Sequence, residues 1–413
     1  MSSLARFGEQ NLRLRIRRPT TIILALFSII ILANIGYTLY PYSQVPSHHR
    51  YNAIFEKTPT WTHPLWQKIM YSPAGLIEAP PIIEGLRNAP WAGSWELPRL
   101  SVPKSSKNTT TTPALAMIHI FSMPNKKSRQ RRNLIRKLNL LEAIPDEYKH
   151  LVEIKFVLGY DQSIKEYEEG YKTILEEEEE IQSESDRYRD LIRLRELEDG
   201  ENMNKGKSWE WLRYVGREGG RRGWWVLKCD DDTLPLLPNL LPFLTSLDPS
   251  IPTYLGSALG RWPGHHYYFE GMMYGFSWGV VKTMAVADVP REIRNEDWDE
   301  DGRIGEAMFS LPLSPNIIPN STYCSSFPDY DPILSIPPAN PDPCTGLVRI
   351  DLASRIGMWR EWLIDDEKTA VAWHGLKRDH DYISAYAQAR DGFTNRNGNY
   401  KWEVPPVFEP LSG

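Results

Sequence analysis

Trp224-Trp225-Val226-Leu227-Lys228-Cys229-Asp230-Asp231-Asp232-Thr233-Leu234 is the stretch that decides the reading of this chain. An apolar run of strand length passes, with no turn residue between, into three consecutive carboxylates. Such a cluster repels itself unless solvent or a cation compensates it. Hard divalent cations take oxygen ligands, so magnesium or manganese is the natural counter-ion. A solvated acidic loop would also carry three aspartates. Position separates the two readings, because in open α/β sheets ligands sit beyond the carboxyl ends of the strands.

The neighbouring segments supply such a sheet. Ala114 to Phe121 (ALAMIHIF) reads as a buried strand, and Arg129 to Leu141 has helical spacing through Leu134, Leu138 and Leu141. Val152 to Leu158 (VEIKFVL) is a second strand, closed by Gly159. Strand, helix, strand opens an α/β domain with a mostly parallel sheet. Trp209 to Val215 and Leu236 to Leu244 read as short helices, and Tyr254 to Ala258 and Met272 to Ser277 as further strands. Leu175 to Asp199, which holds the run Glu176 to Glu180, reads as a solvated face and is given no chemistry.

The chain has 413 residues, 41% of them hydrophobic, with 15 Trp, which is enough for a large core. A formal net charge of -5 leaves no basic footprint for nucleic acid. Charge is concentrated at the start, where Arg6, Arg13, Arg15, Arg17 and Arg18 precede an uncharged stretch, TTIILALFSIIILANIGYTLY, over residues 20–40. About 20 apolar residues span a bilayer, and the arginines place the preceding end in the cytoplasm. The run is longer than a signal-peptide core and lacks a small-residue cleavage site. The expectation is a cytoplasmic tail over 1–19, a signal anchor over 20–40, a Pro- and Ser-rich stem over 41–112 and a lumenal domain over 113–413. Asn108-Thr109-Thr110 and Asn320-Ser321-Thr322 are N-glycosylation acceptors that suit a lumenal setting. Cys324 and Cys344 flank a Pro-rich loop, where a disulfide or two thiols both fit; Cys229 reads as a buried free thiol.

Five stretches, in order, make the region from Ala114 to Lys377 resemble the β-1,3-glycosyltransferases of glycosyltransferase family 31. They are Arg131-Arg132-Asn133-Leu134-Ile135-Arg136, Ile154 to Gly159, Lys228 to Thr233, Phe269 to Ser277, and Glu300-Asp301-Gly302-Arg303-Ile304-Gly305. The chain departs from the family over Ser185 to Lys207, where only Tyr188, Asp190, Asp199 and Lys207 remain of an acidic stretch. It departs again at Gly302 and Arg303, where Val and Tyr are common.

The resemblance implies a GT-A, Rossmann-like lumenal domain behind one transmembrane helix, in the Golgi membrane with type II topology. It implies an inverting transfer from a UDP-sugar, galactose by default, to a glycan hydroxyl on a glycoprotein or glycolipid in β-1,3 linkage. A divalent cation, Mn²⁺ by preference, would neutralise the leaving diphosphate. The resemblance makes Asp232 the direct metal ligand and sets Asp230 towards the ribose or a metal-bound water. Asp231 lies in the same donor motif and His374 matches a further metal ligand; Lys377 is either a point charge for the diphosphate or a solvated lysine. Asp301 is the base that takes the acceptor proton, with Asp297 as its rival. Arg131, Arg132 and Arg136 are candidates to approach the nucleotide, and Trp262, Tyr267, Tyr268 and Tyr274 to stack on the acceptor or pack the core. A catalytically inactive lumenal chaperone or glycan binder on the same scaffold is the alternative, and a carboxylate-dependent hydrolase is a third.

Overall fold

The structure is a computed structural model that describes residues 83–90, 100, 112–159, 171–194, 197, 203–217, 219–257, 268–294, 300–312, 345–352, 355–359 and 368–405. The signal anchor, both glycosylation acceptors, Cys324, Cys344, Asp297, Trp262 and Tyr267 lie outside those residues. Among the described residues no helix is long and apolar enough to cross a membrane.

A seven-stranded mixed sheet organises the fold. Its strands are β1 (Ala114–Phe121), β2 (Val152–Gly159), β3 (Leu191–Leu194), β4 (Gly223–Asp230), β6 (Thr253–Gly256), β7 (Met273–Ser277) and β8 (Val348–Asp351). They run in the order β3-β2-β1-β4-β7-β6-β8. The first four are mutually parallel. β7 is antiparallel to both β4 and β6, and β8 is parallel to β6. The parallel order 3-2-1-4 matches the first four places of the doubly wound order 3-2-1-4-5-6. All eight residues of β1 are buried, as expected of a central parallel strand covered on both faces.

Helices α1 (Lys126–Leu138), α2 (Tyr171–Tyr188), α3 (Ser208–Gly216), α4 (Leu237–Thr245), α5 (Trp278–Val286), α6 (Glu300–Phe309) and α7 (Asp379–Asn397) surround the sheet. Asn125 caps α1 by accepting the Ser128 N–H at 2.9 Å, and Asn139 ends it in the left-handed region at φ 52°. The core behind β4 and β7 joins Val226, Phe276, Trp209, Trp211, Val281 and Met284. Burying each such side chain contributes about 1.5–3 kcal/mol.

A second, small sheet positions the site. β10 (Ala372–His374) lies between β5 (Leu234–Pro235) and β9 (Ile356–Met358), antiparallel to the first and parallel to the second. The register Trp373↔Leu234 fixes His374 against the end of β4, and Leu376 N–H donates to the Asp232 carbonyl at 2.9 Å. A residue more than a hundred positions away is thus held beside the aspartates by main-chain bonds.

Candidate functional site

Period-2 alternation along β4 puts Trp225, Leu227 and Cys229 on one face and Val226, Lys228 and Asp230 on the other. Lys228 and Asp230 therefore meet: Lys228 Nζ lies 2.9 Å from Asp230 Oδ1. The same ammonium donates to the Gly271 carbonyl at 2.8 Å and to Glu300 Oε2 at 3.2 Å. It has no solvent exposure and lies 5.3 Å from the Phe121 ring centroid and 5.1 Å from that of Tyr274. Asp230 and Glu300 favour its charged form strongly enough to outweigh burial and raise its pKa above the ordinary lysine value.

Beyond β4 the three aspartates diverge. Asp230, Asp232 and His374 each offer one ligand atom, and the three atoms lie within 4.8 Å of one another. Two carboxylate oxygens and one imidazole nitrogen are a donor set that suits a divalent cation, manganese more than magnesium. Asp232 Oδ1 is 3.2 Å from His374 Nδ1. Asp231 turns away towards β1, where Ser122 Oγ donates to its Oδ2 at 3.2 Å. Burial pushes the Asp230 carboxyl up to about 7, against the pull of Lys228. It raises Asp231 as well, with the neighbouring Asp232 adding to the effect. Burial also lowers the His374 imidazole pKa, which favours the neutral ring a metal requires.

Asp301 sits in the first turn of α6, close to Lys228. Its Oδ2 accepts the Gly271 N–H at 2.7 Å. A Cβ on Gly271 would stand 2.7 Å from Asp301 Oδ1 and 3.0 Å from Lys228 Nζ, so a side chain there would displace one of those two groups. Glu300 points inward and accepts from Ser208 Oγ and the Tyr274 hydroxyl, in addition to Lys228. Those donors outweigh burial and hold Glu300 down at about 2. Burial and the adjacent Glu300 charge push Asp301 well above the usual carboxylate range. One member of the pair stays ionised and the other is poised to hold and release a proton.

The sequence-derived residues thus fall into three groups. Asp230, Asp232 and His374 converge, and Asp301 lies beside Gly271 and close to Lys228. Asp231 is apart from the metal ligands, though it faces the same strand ends. Lys377 is exposed, and its carbonyl accepts Arg131 Nη2 at 2.7 Å.

Four candidate side chains left open by the sequence make internal contacts. Arg131 clamps the Leu376 and Lys377 carbonyls, Arg132 makes a two-pronged bond to Glu184, and Arg136 does the same to Asp190. All three are engaged in holding loops and helices together. Tyr274 is fully buried and bonded to Glu300, so it packs the site from beneath rather than lining an acceptor wall. Lys228, Ser208 and Glu300 carry no role in the sequence reading. For Lys228 the signal was present, since it shares the strand face of Asp230. For Ser208 and Glu300 no local pattern marks the contact.

No protein-family profile and no curated protein matches the chain. Among solved structures, the glycosyltransferase GlyE of Streptococcus pneumoniae TIGR4 aligns at 11% identity over 49% of this chain and 46% of that one, with a TM-score of 0.29. A likeness of that extent settles neither fold family nor function.

Proposed function

We propose that the chain is a metal-dependent inverting glycosyltransferase with a GT-A-like domain, which moves a sugar from a UDP-sugar to a glycan hydroxyl. The observation that carries this reading is the convergence of Asp230, Asp232 and His374 at the carboxyl end of β4, with Asp301 beside the Gly271 loop that also covers Lys228. In family 31, which the sequence resembles, these positions would hold the donor's metal and the base. Galactose as the donor sugar, β-1,3 linkage and a Golgi-lumenal, type II setting belong to the same proposal and rest on that resemblance and on residues 20–40.

When bound, the cation would neutralise charge developing on the leaving diphosphate. The protein's own contributions are distinct from it. Asp231 is tied to Ser122 and stays outside the set of ligand atoms. Lys377, on the exposed loop after β10, offers a point charge for a diphosphate oxygen. Asp301 takes the acceptor proton: its raised pKa makes it a stronger base once ionised, and Gly271 N–H fixes one of its oxygens. Glu300 has no proton to exchange near neutral pH and orients the pair. Inversion requires no covalent enzyme intermediate.

The test is incubation of the full-length chain with UDP-sugars and Mn²⁺, with and without a panel of glycan acceptors. Acceptor-dependent release of UDP together with a new glycosidic product is expected. UDP release that ignores acceptor would favour a hydrolase. No turnover with any donor would favour the inactive binder.

A further inference from the structure

Residues 83–88 fall in the stretch that the sequence reads as a stem, yet two of their side chains enter the main core. Ile83 and Leu86 are buried, in one cluster with Ile304, Ala307 and Met308 of α6. A one-turn helix over Glu84–Arg87 brings them there, because a spacing of three puts Ile83 and Leu86 on one face.

The segment is fixed at three points. Ile83 N–H donates to Ser310 Oγ at 2.9 Å, and Ser310 has no solvent exposure. Arg87 Nη2 donates to the Phe309 carbonyl at 2.9 Å. That carbonyl belongs to the last turn of α6, where carbonyls lack a partner within the helix and a cation is favoured. Gly85 lies against the turn after α5, and a Cβ there would collide with the Asp288 carbonyl. The short helix therefore staples Asp288 to Phe309 and Ser310, which bracket α6 in the chain. The first turn of α6 carries Glu300 and Asp301. A ten-residue helix is a rod of about 15 Å, so what holds its last turn also sets its first.

We propose that Ile83–Asn88 is a brace that sets α6, and that Arg87 is a positioning residue for Asp301, acting through the Phe309 carbonyl. The role given to Asp301 rests on the transferase reading above; the brace itself does not. Asp230 and Asp232 stand at the end of β4 and His374 on β10, so the brace bears on the base and not on the cation site.

The experiment uses the full-length chain as wild type, Arg87→Met, Gly85→Ala and the control Glu84→Gln, whose side chain is exposed. Hydrogen–deuterium exchange followed by mass spectrometry reads α6 and, for comparison, β1. Exchange through α6 should speed up in Gly85→Ala, and by about tenfold in Arg87→Met, where one charged hydrogen bond is lost. Glu84→Gln should match the wild type, and β1 should be unchanged throughout. With UDP-sugar and acceptor, kcat should fall about 10–100-fold in Arg87→Met while Mn²⁺ affinity holds. Unchanged exchange of α6 in both variants overturns the brace. Faster exchange with kcat held overturns the positioning role, and so does a loss of Mn²⁺ affinity as large as the loss of kcat. A wild-type chain that makes no acceptor-dependent product overturns the transferase reading, and the exchange data then still decide the brace.

Discussion

Replacing Lys228 by methionine removes a buried cation that pairs with both Asp230 and Glu300. The ammonium stands 2.9 Å from Asp230 Oδ1 and 3.2 Å from Glu300 Oε2. At an effective dielectric near 20, each contact has a gross Coulomb energy of about 5–6 kcal/mol. Desolvation of three buried groups consumes most of that. What remains on deleting one partner of a buried pair is a loss of about 3–5 kcal/mol, because the carboxylates stay behind uncompensated. For a domain of this class, that lowers Tm by roughly 6–20 °C.

The loss should depend on pH, with a definite sign. Asp230 is already raised to about 7 in the fold. A carboxyl raised in the folded state binds a proton that the unfolded chain has released, so its ionisation erodes stability as pH rises through the window between the two values. Without Lys228 that window extends upward, and Glu300 no longer gains from ionising at neutral pH. The Tm difference between wild type and Lys228→Met should therefore be larger at pH 8 than at pH 6. Differential scanning calorimetry at the two values reads it directly. An equal Tm in variant and wild type, or a difference that shrinks from pH 6 to pH 8, would refute the role given to this lysine.

Asp232→Asn should lower turnover by roughly 100-fold or more while Tm stays near the wild-type value, as steady-state assay and calorimetry would show; undiminished turnover would remove Asp232 from the metal set. Gly271→Ala places a methyl 2.7 Å from Asp301 Oδ1, and should lower kcat more than it raises the donor KM. Arg131→Met frees the Leu376 and Lys377 carbonyls and should weaken Mn²⁺ binding through the loop after His374, by less than the loss of a ligand; calorimetric titration would check it. Arg132→Met leaves Glu184 buried beside Arg136 alone and should cost about 3–5 kcal/mol in urea denaturation with little effect on the Mn²⁺ dissociation constant.

Much of the central sheet was legible because its signals are local. β1 spans the eight residues read as a strand, and β2 and β4 extend their predicted runs by a residue or two, since buried parallel strands are continuous apolar stretches. β3 was hidden inside a charged region. It is a short edge strand with Arg193 in its middle, and its alternation is too brief to register against the acidic residues before it. α7 was legible and passed over: Tyr382, Ala385, Tyr386, Ala389 and Phe393 keep one helical face buried. In the site, the triplet and Asp301 stand out as motifs. The partners that tune them do not, because the β5–β10 pairing that delivers His374 and the fold-back that buries Lys228 under Gly271 are tertiary facts. The basic helix α1 is a further case where the partners are tertiary. Its arginines have the composition of a phosphate site, but Glu184 and Asp190 on distant segments take up two of them and main-chain carbonyls hold the third.

The central claim is that Asp230, Asp232 and His374 hold a cation for a nucleotide diphosphate. Calorimetric titration of UDP into the full-length chain, with and without Mn²⁺, tests it most directly. The account predicts UDP binding that requires Mn²⁺ and is lost in Asp232→Asn. Binding of equal strength without the metal, or binding that survives the substitution, would contradict it.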